Sequence, residues 1–262
     1  MAALLDHVIL PASAGLTFVD AATGQPVLDG LQCTLMRRRD GKAIARAHAT
    51  PSGVHHWPEL DERWRSSDTS VPAQADVLVR DEFERFLPLS LAWPLADAVG
   101  TTLMGAVRLA RISLLSAPAR LSPPGYASVF AHLIWQATAA PAAWARVTLT
   151  NAQGQVVPGS CNDQGLLSVH LPLGRPQRDA GTGATFAVVD LKVFFDPALA
   201  LAASPLGAPD ALAWATQTEV RALARADQTT ALDSLRLEVG RAAVPITQGL
   251  VPRRSELRLV SV

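Results

Sequence analysis

Residues 16–27 read Leu16-Thr17-Phe18-Val19-Asp20-Ala21-Ala22-Thr23-Gly24-Gln25-Pro26-Val27, and this stretch decides the fold. A short apolar run with strand character leads into a turn that carries a glycine. The pattern returns in Val147-Thr148-Leu149-Thr150, followed by Gln153-Gly154-Gln155-Val156-Val157. Short strands that are each closed by a turn are typical of small sandwiches. The two copies therefore predict an all-β protein with two Greek-key β-sandwich modules.

The pattern divides the chain of 262 residues into three parts. We assign residues 1–97 to the first module and residues 98–196 to the second. Residues 197–262 form a C-terminal extension with strands and one ambiguous segment. Summed over the chain, alternating runs outnumber helical patterns, so strand should exceed helix by at least about two to one.

The ambiguous segment is the Ala-rich run from 209 to 226. A proline suits the first position of a helix, so a helix can begin at Pro209. A strand through Thr216 to Leu223 is also open, and we favour the helix. Residues 232–239 and 256–262 alternate and predict strands.

Composition excludes several classes of protein. The chain has 23 basic and 23 acidic residues, so its formal net charge is zero. Nucleic-acid binding needs a basic excess to neutralise phosphates, which is missing here. The apolar stretches are too short or interrupted to span a bilayer, and the amino-terminal residues do not resemble a signal peptide. We expect a protein made in the cytoplasm that works inside an assembly.

The two cysteines lie far apart in the chain, at Cys33 and Cys161. Two such residues do not make a disulfide framework. We expect two free, buried thiols, with Cys33 the more buried because it lies in an alternating apolar run.

The residues that could carry chemistry are few. His56-Trp57-Pro58-Glu59 has the spacing of two zinc ligands, and His132 or His170 would have to supply a third. The surrounding pattern is that of a sandwich, so we interpret His56 as a strand residue before a proline turn. Nucleophile elbows, phosphate-binding loops and Cys-x-x-Cys pairs are missing. We therefore expect no enzyme, no cofactor and no stoichiometric zinc or calcium.

Interfaces favour tryptophan and arginine and disfavour lysine. Lys42 and Lys192 are the only lysines, so arginine supplies nearly all of the positive charge. Trp64 lies in a polar stretch and is our main candidate for an exposed anchor. Arg37, Arg38 and Arg39 precede Asp40-Gly41, a strong hairpin signal, and they are interface candidates or a solvated turn. The six tryptophans also leave open an exposed platform for sugars.

The opening stretch, together with Ser52-Gly53-Val54, resembles the start of a transthyretin-like domain, also called a carboxypeptidase-regulatory-like domain. Ala145 to Pro172, with Gly154 and Gly165, resembles the same pattern. The resemblance covers about half of the chain and implies transthyretin-like or immunoglobulin-like sandwiches. It implies little about function.

A second resemblance concerns Arg80-Asp81 and Arg85-Phe86-Leu87-Pro88, with Leu115-Ser116-Ala117-Pro118-Ala119-Arg120 and Pro123-Pro124-Gly125. These segments look like proteins from gene clusters for contractile, phage-tail-like injection systems. The resemblance implies a non-enzymatic structural or adaptor subunit near the baseplate or cap of such a particle. Its partners would be other subunits, or further copies of itself. The alternative is a module that binds carbohydrate or protein.

Overall fold

The computed structural model describes residues 14–58, 75–93, 102–104, 107–172, 174, 176–201, 207–228, 230–238, 241–250 and 255–262. About 53% is strand and 4% is helix. This composition and the sandwich-like arrangement of several sheets confirm the all-β class. Among the described residues, no helix is long and apolar enough to cross a membrane.

Two sheets form the first lobe, which comprises the described residues from 14 to 114. In chain order its strands are β1 (Ala14–Asp20), β2 (Leu31–Arg37), β3 (Ala43–Arg46), β4 (His48–Ala49), β5 (His55–His56), β6 (Ala75–Asp81), β7 (Leu89–Trp93), β8 (Thr102–Met104) and β9 (Val107–Leu114). One sheet has the order β4-β5-β1-β9-β8 and the other the order β3-β2-β6-β7.

Alternation explains why these strands bury one face. Leu16 and Phe18 of β1 are buried, whereas Thr17 between them is only half-buried. Cys33 and Leu35 of β2 join them in one core between the sheets. Each large apolar side chain buried in this way contributes about 1.5–3 kcal/mol.

The Asp40-Gly41 signal is confirmed. Strands β2 and β3 pair antiparallel across it, and Gly41 adopts a φ of 64°. Its N–H donates to the Arg37 carbonyl at 2.8 Å. Beyond β3 the chain continues directly into β4, so one segment connects the two sheets of the first lobe.

Strand β9 lies in the first lobe, although residues 98–196 were assigned to the second module. It pairs in parallel with all of β1, from Ala14 opposite Arg108 to Asp20 opposite Leu114. Ala110, Ile112 and Leu114 are buried in the core of the first lobe. Residues 115–125, called the linker below, then lead into the second lobe.

The second lobe comprises the described residues from 126 onward, except that residues 208–211 pack on the first lobe, where the Ser90 N–H donates to the Pro209 carbonyl at 3.0 Å. Its elements are β10 (Tyr126–Trp135), β11 (Ala140–Pro141), β12 (Arg146–Asn151), β13 (Val156–Ser160), β14 (Leu166–Pro172), β15 (Gln177–Arg178), β16 (Thr185–Phe194), α1 (Pro197–Leu201), α2 (Ala211–Ala215), β17 (Glu219–Ala222), β18 (Ser234–Glu238) and β19 (Glu256–Ser261). The main sheet has the order β11-β10-β19-β17-β16-β12-β13, with β14 on β10 and with β15 and β18 on β16.

The C-terminal residues complete this sheet, because β17, β18 and β19 bury Val220, Leu237 and Leu259 in the same core as the earlier strands. The helix favoured for residues 209–226 was only partly right. Helix α2 covers Ala211–Ala215 and does not begin at Pro209, and the strand β17 follows it. Alternating burial of Val220 and Ala222 against the core decides for a strand there.

Candidate functional site

The predicted interface residues differ in their placement and in their ion pairing. Trp64 lies outside the described residues. Arg38 donates to Asp76 through Nε and Nη2, at 3.1 and 2.6 Å. Arg37 donates to Asp40 at 3.3 Å, and Arg39 is exposed. Two of the three arginines are thus paired with carboxylates of the same lobe, so the triplet is not a continuous free cationic patch.

The zinc candidates do not assemble around His56. Glu59 lies outside the described residues, and His132 and His170 belong to β10 and β14 of the other lobe. No group of three or more potential metal ligands occurs in the part of the chain that the structure describes.

A cluster that sequence reasoning missed lies at the turn between β6 and β7. We call Phe83, Arg85, Phe86 and Arg120 the arginine–phenylalanine cluster. The Arg85 guanidinium lies 4.9 Å from the centre of the Phe83 ring and 5.4 Å from that of Phe86. Arg120 lies 4.9 Å from the centre of the same Phe86 ring. Cation–π contacts of this kind contribute about 0.5–2 kcal/mol each, more where water is excluded.

Hydrogen bonds fix Arg85 in this cluster. Its Nε and Nη2 donate to the two carboxylate oxygens of Asp81 at 3.0 and 2.9 Å. Nη1 donates to the Asp29 carboxylate at 3.0 Å and Nη2 to the Asp29 carbonyl at 2.8 Å. These bonds hold the pKa of Arg85 above its ordinary value, the Asp81 bond most of all. A guanidinium held on both sides in this way is preorganised.

Phe83 is the exposed end of the cluster. It is 61% exposed, and its ring also lies against Gly30. A Cβ on Gly30 would lie only 2.6 Å from two atoms of the ring, so the ring packs on the bare backbone of Gly30. The neighbouring Glu84 adopts a φ of 54°, which tightens the turn. A large apolar side chain that contacts Gly30 and Arg85 is therefore presented to solvent.

Arg120 connects the linker to the first lobe. Its Nη1 and Nη2 donate to the Asp20 carboxylate at 2.8 and 2.6 Å, and Nη1 also donates to Ser116 Oγ at 2.9 Å. The Arg120 and Asp20 side chains are only 10% and 8% exposed. Burial alone would raise the pKa of Asp20. Hydrogen bonds from Arg120, Thr23 and the Ala22 N–H outweigh burial and hold that pKa below its ordinary value.

The linker also pairs with the β6–β7 turn. Leu87 N–H donates to the Leu115 carbonyl and Ala117 N–H to the Arg85 carbonyl, both at 2.9 Å. Leu87 and Ala117 pack with Trp144 of the second lobe. The segments 80–88 and 115–125 are therefore neighbours in space, beside a cleft of about 440 Å³ that reaches Trp144.

A buried histidine lies in the second lobe near the Arg120 charge. His170 Nδ1 is 2.9 Å from Ser128 Oγ, and Nε2 is 3.2 Å from Ser168 Oγ. Burial lowers the pKa of His170 to about 4, and the charge of Arg120 acts in the same direction. Ser128, Ser168 and His170 are at most 6% exposed, so a substrate cannot reach this group of three residues.

The tryptophans of known placement do not form an exposed platform. Trp57 and Trp144 are 3% and 6% exposed. Trp135 and Trp214 are half-buried, and Trp214 Nε1 donates to the Trp144 carbonyl at 3.1 Å.

Both cysteines are free and buried. Cys33 is not the more buried of the two, because Cys161 packs in the larger core and its Sγ donates to the Ala142 carbonyl at 2.9 Å. Burial raises the pKa of each thiol to about 12.

Comparison with known proteins gives only distant similarities. No family model and no curated protein matches this chain. Among solved structures, it is similar to a mutant of the shaft pilin spaA from Lactobacillus rhamnosus GG, with 10% identity, a TM-score of 0.22 and coverage of 70% of this chain and 87% of the pilin. A leucine-rich repeat protein from Bacteroides thetaiotaomicron is similar at 12% identity and a TM-score of 0.22, covering 89% of this chain and 26% of that protein.

Proposed function

We propose that this chain is a non-enzymatic structural or adaptor subunit of a contractile, phage-tail-like injection particle, located near the baseplate or cap. The observation that carries the proposal is the arginine–phenylalanine cluster. It connects the linker to the first lobe and presents Phe83 as an exposed apolar anchor. The same segments carry the resemblance to proteins of injection-system gene clusters. Transthyretin-like sandwich modules, assembled into the particle in the cytoplasm, are part of this proposal.

A preorganised anchor suits a subunit that must bind without remodelling. Interfaces derive most of their affinity from a few aromatic and arginine residues in well-packed surroundings. Arg85 is already held by its hydrogen bonds to Asp81 and Asp29, so ordering this side chain on binding should cost little entropy. The zero formal net charge of the chain also keeps repulsion between neighbouring subunits low.

The test is copurification with the sheath, tube and baseplate proteins that the proposal expects neighbouring genes to encode. We expect the intact chain to be retained, and Phe83→Ala to weaken retention at least tenfold. Val188→Ala is the matched control, because Val188 is also apolar and 43% exposed but lies in the second lobe. Equal retention of both variants would reject Phe83 as the anchor.

The adaptor proposal itself fails if the gene has no injection-system neighbours and the intact chain retains none of these proteins. A monomeric chain that is instead retained on a glycan array would favour the carbohydrate-binding alternative.

A further inference from the structure

Two histidines face each other on the edge of the five-stranded sheet. His48 of β4 is directly opposite His56 of β5 in an antiparallel pair. Residues opposite each other in such a pair project to the same face, with Cβ atoms about 4.5–5.5 Å apart. The centres of the two rings are 6.3 Å apart, with planes inclined by 43°. The pairing of β4 with β5 therefore places the two imidazoles side by side.

From this juxtaposition we propose that His48 and His56 chelate one first-row divalent transition ion. Imidazole nitrogens bind such ions at about 2.0–2.1 Å. Each ring centre then lies about 3 Å from the ion, so two ligating rings have centres about 6 Å apart or less. The observed separation needs only a small rotation of the rings toward each other.

The surroundings allow this rotation. His48 is exposed, and neither ring is hydrogen-bonded to another residue in the described ranges. The Nδ1 atom of His56 is buried without a partner, so turning the ring breaks no bond at this atom. A buried polar atom without a partner costs about 1–3 kcal/mol.

His55 does not join this site. It points to the opposite face, where it is 3% exposed and its ring meets Phe18 edge-on, with the ring centres 5.2 Å apart. The chelate has two protein ligands, and water fills the remaining positions. Such a site exchanges its ion readily, so it is compatible with the expectation that the purified chain holds no stoichiometric zinc.

Ligand type predicts which ion binds best. Two imidazoles suit Cu²⁺, Ni²⁺ and Zn²⁺, and affinity follows the order Ni²⁺ < Cu²⁺ > Zn²⁺. Because a ligating nitrogen cannot carry a proton, binding should be weaker at pH 5.5 than at pH 7.5. An ion held between β4 and β5 would also stabilise this sheet edge in proportion to its occupancy.

The experiment is calorimetric titration of the full chain with Ni²⁺ and with Cu²⁺ at both pH values. We expect one ion per chain at pH 7.5, with tighter binding of Cu²⁺. His48→Ala and His56→Ala should each weaken Ni²⁺ binding at least tenfold. His132→Ala is the matched control, since this half-buried histidine lies in the second lobe, and it should bind as the native chain does.

Because His48 is exposed, we expect His48→Ala to fold as the native chain does, and circular dichroism of each variant checks this point. Unchanged Ni²⁺ affinity in a folded His48→Ala chain would overturn the proposal. So would the lack of saturable binding in the native chain at millimolar Ni²⁺. For Cu²⁺, electron paramagnetic resonance should show two equivalent imidazole nitrogens in the native chain and one in either variant.

Discussion

At the scale of single residues, two turn glycines that look alike in the sequence have different tasks. Gly154 and Gly165 both adopt positive φ, 77° and 74°. A Cβ on Gly154 would meet nothing within 4 Å, whereas one on Gly165 would lie 2.5 Å from the Leu133 carbonyl oxygen. Gly154 is therefore needed for its backbone conformation alone. Gly165 is needed also for its close approach to β10, where its carbonyl accepts the Leu133 N–H at 2.8 Å.

This difference predicts unequal effects of the same substitution. Gly154→Ala should lower the free energy of unfolding by about 1 kcal/mol, the cost of a left-handed conformation with a side chain. Gly165→Ala should cost about 3 kcal/mol, because a clash with backbone adds to that strain. Urea unfolding measures both, and equal midpoints for the two variants would contradict the packing argument.

At the scale of elements, the linker is fastened by a buried ion pair. Arg120 and Asp20 are separated by 100 positions, and each has its side chain almost fully covered. A buried pair is weak evidence for net stability, but removing one partner leaves a charge without compensation. Changing either residue should therefore weaken the attachment of the linker to the first lobe, although the backbone hydrogen bonds of Leu87 and Ala117 remain.

Arg120→Leu should lower the free energy of unfolding by about 3–5 kcal/mol, because the Asp20 carboxylate remains buried and unpaired. Lys192→Gln is the control. Lys192 pairs with Glu219 at 3.3 Å, with side chains 59% and 50% exposed, and its loss should cost at most about 1 kcal/mol. Adding Asp20→Asn to Arg120→Leu should recover part of the loss. Simple additivity of the two substitutions in calorimetric unfolding would argue against a coupled pair.

Local pattern was a good guide to elements and a poor guide to their partners. The Asp40-Gly41 hairpin follows from its own residues, because the turn and both flanking runs are local. The ambiguous run after Pro209 was decided by burial of Val220 and Ala222, which depends on distant strands. One feature of the sequence could have indicated the arginine–phenylalanine cluster. Asp81 lies four residues before Arg85, a spacing at which the two side chains can form an ion pair.

At the scale of the whole molecule, buried histidines couple stability to pH. The folded pKa of His170 is about 4, below its ordinary value of 6.5. Between pH 4 and pH 6.5, His170 is protonated in the unfolded chain but neutral in the folded chain. The contribution of His170 to the free energy of unfolding is therefore fully present above about pH 6.5, and it is lost as the pH is lowered toward about 4. Asp20, with a pKa held below 3.8, adds its own loss only at more acidic pH.

Across this pH window, protonation of His170 should lower the free energy of unfolding by about 3 kcal/mol. His170→Asn should flatten the dependence, because asparagine does not titrate. Burial also lowers the pKa of His55, with the neighbouring His56 adding to the effect, so part of the slope should remain. Urea unfolding at several pH values provides the measurement. A variant with the full native slope would show that His170 is not responsible.

The sequence by itself determined the all-β class, the positions of most strands and the tight turns, because alternation and turn residues act within a few positions of each other. The pairing of strands that lie far apart in the chain followed only from three-dimensional packing. The parallel alignment of β1 with β9 and the docking of β19 on β10 join residues about a hundred positions apart. Burial of a shared core selects such pairings, and so does the Asp20–Arg120 ion pair. No local periodicity encodes them, since each partner satisfies the same alternating pattern as many others.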